Sequence, residues 1–243
     1  EPIPCLRDNY AYLVHAAGAD EAWLVDPSEV EPPARALAER GLRLAGILAT
    51  HHHVDHVGGI PGLVAAQPTA PVVAGHLHDK GRIPAQTLLV DAPTGEFVPT
   101  PLVVAGRPVL AAHIPGHTLG AIAWYLPGEG DAPGDVFTGD TLFAAGCGRL
   151  FEGTPAQMHR SLTTICALPG ATRLWFGHEY TAANLRFAAS VEPDNRDVAE
   201  RASSLPERTT PTTVTLERAT NPFVRASDAD ELASRRAAKD SFK

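Results

Sequence analysis

The chain has 243 residues, 44% of them hydrophobic and 20% charged, with a formal net charge of −8. That suffices for one large soluble domain or one domain with an appendage, and the acidic balance excludes nucleic acid as the main partner. No apolar run approaches the roughly 20 residues that span a bilayer, and no basic-then-apolar leader opens the chain. Cys5, Cys147 and Cys166 are widely spaced with no CxxC, which fits a reducing cytoplasm rather than a disulfide framework.

In chain order, 11–14 and 22–25 are short β-type runs, the second ending at Asp26-Pro27, and 32–40 is helical in pattern. A buried strand over 44–49 then runs into Thr50-His-His-His-Val-Asp-His56. Alternate side chains of an extended chain share a face, so His51, His53 and Asp55 point one way. His56 joins them if a helix begins there, and Gly58-Gly59 permit a tight turn afterwards. Further strands follow at 72–74, 88–90, 102–104, 109–113 and 121–126. Thr154 with Gln157 reads as a capping box opening a helix over 158–168, and 173–176 is one more strand. Past it, 181–190 and 198–204 read as helices, and nothing from 179 onward reads as a strand. Such an order predicts an α/β sandwich over 1–178 with a helical appendage over 179–243.

Four imidazoles and a carboxylate within 50–56 are a ligand set of mixed nitrogen and oxygen. It suits zinc or another borderline first-row cation rather than calcium. Three more candidates end predicted strands in glycine-containing turns: His117 in 114–118, Asp140 in 137–141 and His178 in 175–179. Other residues carry plainer expectations. His52 faces away from His51 and His53, His76 and His78 read as a surface turn beside 79–81, and His113 as structural. Asp26 is either a carboxylate that orients a ligand imidazole or a simple turn residue, and Cys147 is a small packing residue. No Ser/His/Asp or Cys/His nucleophile arrangement is present. Residues 1–178 hold 17 acids and 10 bases, so the acidic excess lies with the histidine run, where bound cations would offset part of it. The last nine residues reverse this, with Arg235, Arg236, Lys239 and Lys243 against Asp240, and suggest a small anionic ligand.

The set Thr-His-x-His-x-Asp-His with His117, Asp140 and His178 resembles the metallo-β-lactamase superfamily. Leu-Arg-Asp-Asn-Tyr at 6–10, Ala-Gly-Cys-Gly-Arg-Leu-Phe-Glu-Gly at 145–153 and His-Glu-Tyr-Thr at 178–181 are similar to hydroxyacylglutathione hydrolases, the glyoxalase II family. So are Asn-Pro-Phe at 221–223 and the ending at 235–242, and the similarity covers essentially the whole chain. The resemblance implies a four-layer αββα sandwich with metals at one sheet edge and a C-terminal helical domain that binds glutathione. It implies that His51, His53 and His117 hold one divalent cation, that Asp55, His56 and His178 hold a second, and that Asp140 bridges them. Zinc is the first expectation, with iron and manganese suited to the same ligands. The implied reaction is hydrolysis of S-D-lactoylglutathione and related S-(2-hydroxyacyl)glutathiones by a metal-bridging hydroxide, with Asp55 and Asp140 as the catalytic carboxylates. This is the second step of methylglyoxal detoxification, in a monomer.

By the same resemblance Arg149, Phe151, Tyr180, Arg236 and Lys239 line the thiol-carrier site. Phe151 departs from the family, which carries a tyrosine there. The ring still lines the pocket, but the absent hydroxyl forfeits a hydrogen bond worth about 0.5–1.5 kcal/mol. The linker ahead of the terminal Arg/Lys pair is also short for the family. Rival readings are a glutathione persulfide dioxygenase, which uses one iron, another thioesterase, lactonase or β-lactamase of the superfamily, and a metal-binding scaffold without catalysis.

Overall fold

Alternation of side chains decides the architecture. In β2 (Asn9–Val14), Ala11 and Leu13 turn to one side, Tyr10 and Tyr12 to the other, and nearly every residue is buried. The same two-sided burial recurs in β3 (Glu21–Val25) and β4 (Arg43–Leu48), so the sheet they form is covered on both faces. The structure, a computed structural model, describes residues 1–242; Lys243, counted above in the basic ending, lies outside the described residues.

The first sheet runs β1 (Pro2–Cys5), β2, β3, β4, β5 (Val72–His76), β6 (Leu88–Val90). It is antiparallel as far as β3 and parallel from there on. The second runs β14 (Thr212–Thr213), β13 (Arg173–Phe176), β10 (Asp135–Gly139), β9 (Ile122–Leu126), β8 (Arg107–His113), β7 (Val98–Val104). Tyr12, Trp23, Leu48, Trp124 and Phe137 pack between the sheets. Leu37 of α1 (Glu31–Glu39) and Ile60 and Leu63 of α3 (Ile60–Ala65) cover the outer face of the first. Met158, Leu162 and Ile165 of α4 (Pro155–Cys166) cover the second, joined by Phe187 of α5 (Thr181–Val191), Phe223, and Leu232 of α8 (Ala229–Ser241). The four-layer αββα sandwich with a helical ending is therefore the fold. Among the described residues no helix is long and apolar enough to cross a membrane.

Several expectations need correction. β14 pairs antiparallel with β13, so the chain past 179 does contain a strand, two residues long. β1 escaped the pattern because Pro2 and Pro4 oppose a strand reading; at a sheet edge only one side of the strand pairs, and proline is tolerated. The capping box at Thr154 is present, but its helix starts at Pro155, three residues before the predicted 158. His76 is no surface residue: it is buried and stacks on His113 at 4.0 Å, while His78 beside it is exposed.

A hairpin of β11 (Leu142–Phe143) and β12 (Gly146–Cys147) lies where the helical ending meets the sandwich. Asn221, just past α7 (Val214–Thr220), donates to Phe143 O and Gly146 O, Asn184 to Ala144 O, and Arg236 to Cys147 O. The buried Glu217 carboxylate accepts from Ala145 N at 2.8 Å. It also accepts from Thr212 Oγ1, Asn221 Nδ2 and the Arg201 guanidinium of α6 (Arg196–Ser203), so the charge is fully partnered.

Candidate metal centre and substrate cavity

The strand ends put their next residues at one rim of the sandwich. β3 ends one residue before Asp26, and β4 runs on into Thr50 and His51. His53 stands just ahead of the one-turn helix α2 (Val54–Val57), which carries Asp55 and His56 and so brings His56 to the same side as predicted. The loop after β8 delivers His117, β10 ends one residue before Asp140, and the turn after β13 supplies His178.

The side chains converge as two groups. Ligand atoms of His51, His53 and His117 lie within 4.8 Å of one another, as do those of Asp55, His56 and His178. Asp140 stands between them, with Oδ1 3.1 Å from His56 Nε2 and Oδ2 3.2 Å from His178 Nε2 and 3.6 Å from His117 Nε2. A third group by distance, Asp26 with His51 and His56, is of another kind. Both Asp26 oxygens are already taken, Oδ1 by Thr50 N and Oδ2 by Thr50 Oγ1 and His56 Nδ1 at 2.9 Å. Asp26 thus orients an imidazole rather than merely closing a turn.

The donors fit a cation. His51 Nε2, His56 Nε2 and Asp140 Oδ1 are buried without a hydrogen-bond partner, and the His56–Asp140 contact lacks hydrogen-bond alignment. His53 Nδ1 and His117 Nε2 face each other at 3.1 Å. Lone pairs aimed at one another in this way are satisfied by metal ions. The far nitrogens are held separately, His51 Nδ1 by Thr50 Oγ1, His117 Nδ1 by Arg149 O, and His178 Nδ1 by Asp8 Oδ1 at 2.8 Å. Asn9 Nδ2 donates to Asp55 O at 2.9 Å. Asp8 and Asn9 were not singled out from the sequence as site residues; their only mark was membership of the Leu6–Tyr10 segment.

Charge divides the cluster. Burial pulls His51 well below the ordinary imidazole value and brings His53 down to about 4, aided by neighbouring imidazoles. His56 and His178 go the other way despite burial, because the Asp140 carboxylate faces both; His178 is pushed up to about 10. Asp140 itself is held well below the carboxylate range, against its own burial, by His56 and His178. A cation held there would take the place of the protons that these carboxylates hold on the imidazoles.

All five residues predicted to bind the thiol carrier, Arg149, Phe151, Tyr180, Arg236 and Lys239, line one cavity of about 430 Å³ that opens onto His117 and Asp140. Arg236 is buried and spends its terminal nitrogens on Cys147 O and Asp240, while its Nε has no partner. Lys239 donates to Ala183 O. Tyr180 stacks flat on His178 at 4.8 Å, and Phe151 stands edge-on to His53 and His117, largely exposed. Cys147 is buried, and burial pushes its thiol up to about 11, consistent with a packing role. A second lobe of about 680 Å³, past Val54, Arg82 and Glu152, meets the first at His117 and Asp140.

Two family models divide the chain. That of the metallo-beta-lactamase superfamily matches residues 6–178, and that of the hydroxyacylglutathione hydrolase C-terminus matches residues 179–242. Over 231 residues the chain is 49% identical to the hydroxyacylglutathione hydrolase of Synechococcus sp. (strain JA-3-3Ab), covering 92% of this chain and 86% of that one. The chain belongs to the hydroxyacylglutathione hydrolase family. The Rhodobacter capsulatus member of this hydrolase family is 48% identical over 234 residues, 94% of this chain and 87% of its own. Among solved structures, ETHE1 from Myxococcus xanthus superposes with a TM-score of 0.69 at 24% identity over 95% of this chain and 85% of its own, a likeness of fold alone. TTHA1623 in a di-iron-bound form gives 0.60 at 29% identity, over 92% of this hydrolase and 99% of that chain.

Proposed function

We propose that this hydrolase cleaves the thioester of S-(2-hydroxyacyl)glutathiones, with S-D-lactoylglutathione as the first substrate. The supporting observation is the placement of two nitrogen/oxygen ligand groups, joined by Asp140, at the floor of a cavity lined by Arg149, Arg236 and Lys239. His51, His53 and His117 would hold one divalent cation and Asp55, His56 and His178 the other, with Asp140 shared. When bound, the pair supplies a water of lowered pKa as nucleophile and neutralises charge developing on the carbonyl oxygen. Zinc heads the candidates, although imidazole and carboxylate ligands also accept iron and manganese.

The chain's own residues bind and orient. Arg236, Lys239 and Arg149, which line the cavity, offer positive charge to the carboxylates of the tripeptide. Phe151 and Tyr180 wall the thioester against the imidazoles and exclude water. A thiol of pKa about 8.5 leaves as thiolate without a general acid. In this division of labour residues 1–178 carry the chemistry and 179–243 the thiol carrier. Both ligand groups and the basic ending speak against a one-iron persulfide oxygenase. The deciding experiment pairs metal analysis with loss of thioester absorbance from S-D-lactoylglutathione. About two metals per chain with turnover is expected; one iron with oxygen uptake on glutathione persulfide overturns the reading.

A further inference from the structure

Alternation throws His52 outward, away from the ligands on either side of it, and there it enters a closed ring of polar side chains. His52 Nδ1 lies 3.0 Å from Oδ1 of Asp79, a fully buried carboxylate in the 3-10 turn Leu77–Asp79. His52 Nε2 meets an Arg82 guanidinium nitrogen, and Arg82 pairs with Glu152 at 2.6 Å and approaches Asp79 at 3.7 Å. A guanidinium only donates. His52 Nε2 is therefore the acceptor and Nδ1–H the donor to Asp79, which fixes the imidazole's tautomer and orientation, and with it the backbone from which His51 and His53 project.

The other end of the ring grips the loop that carries His117. Glu152 Oε2 accepts from Leu119 N at 2.7 Å, and Phe151 N donates to His117 O at 3.2 Å. Gly120 lies so close to Asp79 that a Cβ there would sit 2.1 Å from its Oδ1. One ring thus holds both segments that deliver His51, His53 and His117. The other ligand group hangs on different supports: Asp26 for His56, Asp8 for His178 and Asn9 for Asp55.

We propose that the Asp79–His52–Arg82–Glu152 ring is a positioning device that sets the cation affinity of the His51/His53/His117 group and leaves that of the Asp55/His56/His178 group unchanged. The proposal rests on the ligand assignment made above. Its test is stepwise zinc removal from the full chain by a competing chelator, with His53→Ala and His178→Ala identifying which step belongs to which group. Asp79→Ala removes the acceptor of His52 Nδ1–H and the carboxylate that Arg82 approaches, so neither the tautomer nor the orientation of the imidazole is held from that side. The step of the first group should then weaken by about 10- to 100-fold while the second holds. Cobalt-loaded protein should change the visible band of that one site alone. Glu152→Gln, at the solvent end of the ring, should weaken the same step by less, and decides the matter if Asp79→Ala does not fold. Unaltered affinities, or equal weakening of both steps, would overturn the ring's role. A wild-type protein that releases fewer than two zinc ions would instead remove the ligand assignment beneath it.

Discussion

Lys239 and Phe151 carry the two predictions that belong to single side chains. Burial first, then the positive charges of Arg236 and Arg186, bring the Lys239 ammonium down to about 8. The facing group of opposite tendency is the Cys147 thiol, and Asp240 lines the same cavity. The cation is the form that receives a carboxylate. It is complete at pH 6 and lost as pH rises through 8, so KM for the glutathione thioester should climb between pH 7 and 9 while kcat holds, and Lys239→Ala should flatten that climb. Phe151→Tyr returns the hydroxyl that this chain lacks. A new hydrogen bond worth about 0.5–1.5 kcal/mol lowers KM by roughly 2- to 10-fold. Steady-state kinetics at several pH values checks both. At this scale the convergence of the candidate ligands was legible because a period of two puts His51 and His53 on one face. Asp8 was not: it meets His178 across 170 residues of chain, a distance over which no spacing rule operates. Asp26 could be read two ways until its oxygens were seen to be shared by Thr50 and His56. The ring around His52 was invisible for the same reason, since Asp79 and Glu152 are ordinary acids until folding closes them on one imidazole.

Among the elements, α4 shows how local sequence and site support join. Thr154 and Gln157 cap each other's backbone, the helix buries Met158 and Leu162 against the second sheet, and Ser161 Oγ donates to Pro115 O beneath the His117 loop. Thr154→Ala removes the cap and should cost about 1 kcal/mol, seen as a Tm lower by roughly 2–4 °C with kcat unchanged. A larger loss of activity than of stability would mean that the cap also places His117. Long amphipathic or alternating stretches such as α1, β4 and β8 were legible because one period runs through them. β14 was not: two threonines contain no period, and only the neighbouring β13 makes them a strand. The turn after β5 misled for a related reason. Asp-Lys-Gly at 79–81 has the composition of a surface turn, yet Asp79 is buried under Gly120.

For the molecule as a whole, the join between sandwich and helices is decided at Glu217. Its carboxylate is fully buried and held by the Arg201 guanidinium at 2.8 Å, by Thr212 and Asn221, and by the main chain of Ala145. Removing one partner of such a set strands a charge, so Glu217→Ala should cost about 3–5 kcal/mol, read as a fall in the urea midpoint. Glu217→Gln keeps the shape and should cost less. The α/β class and the helical ending were legible from the order of elements, whereas this join was not, because Ala145, Arg201 and Thr212 reach Glu217 from three separate segments.

The contacts at the 142–147 hairpin have a consequence for how the cavity can change. Asn221, Asn184, Arg236 and Glu217 take hold of main-chain groups of Phe143, Ala144, Ala145, Gly146 and Cys147, one after another. The side chains of Phe143 and Cys147, by contrast, face the cavity. Attachment and lining thus draw on different atoms of the same short stretch. Selection can exchange the lining residues, and with them the preferred thiol carrier, while the peptide groups that fasten the two halves stay as they are.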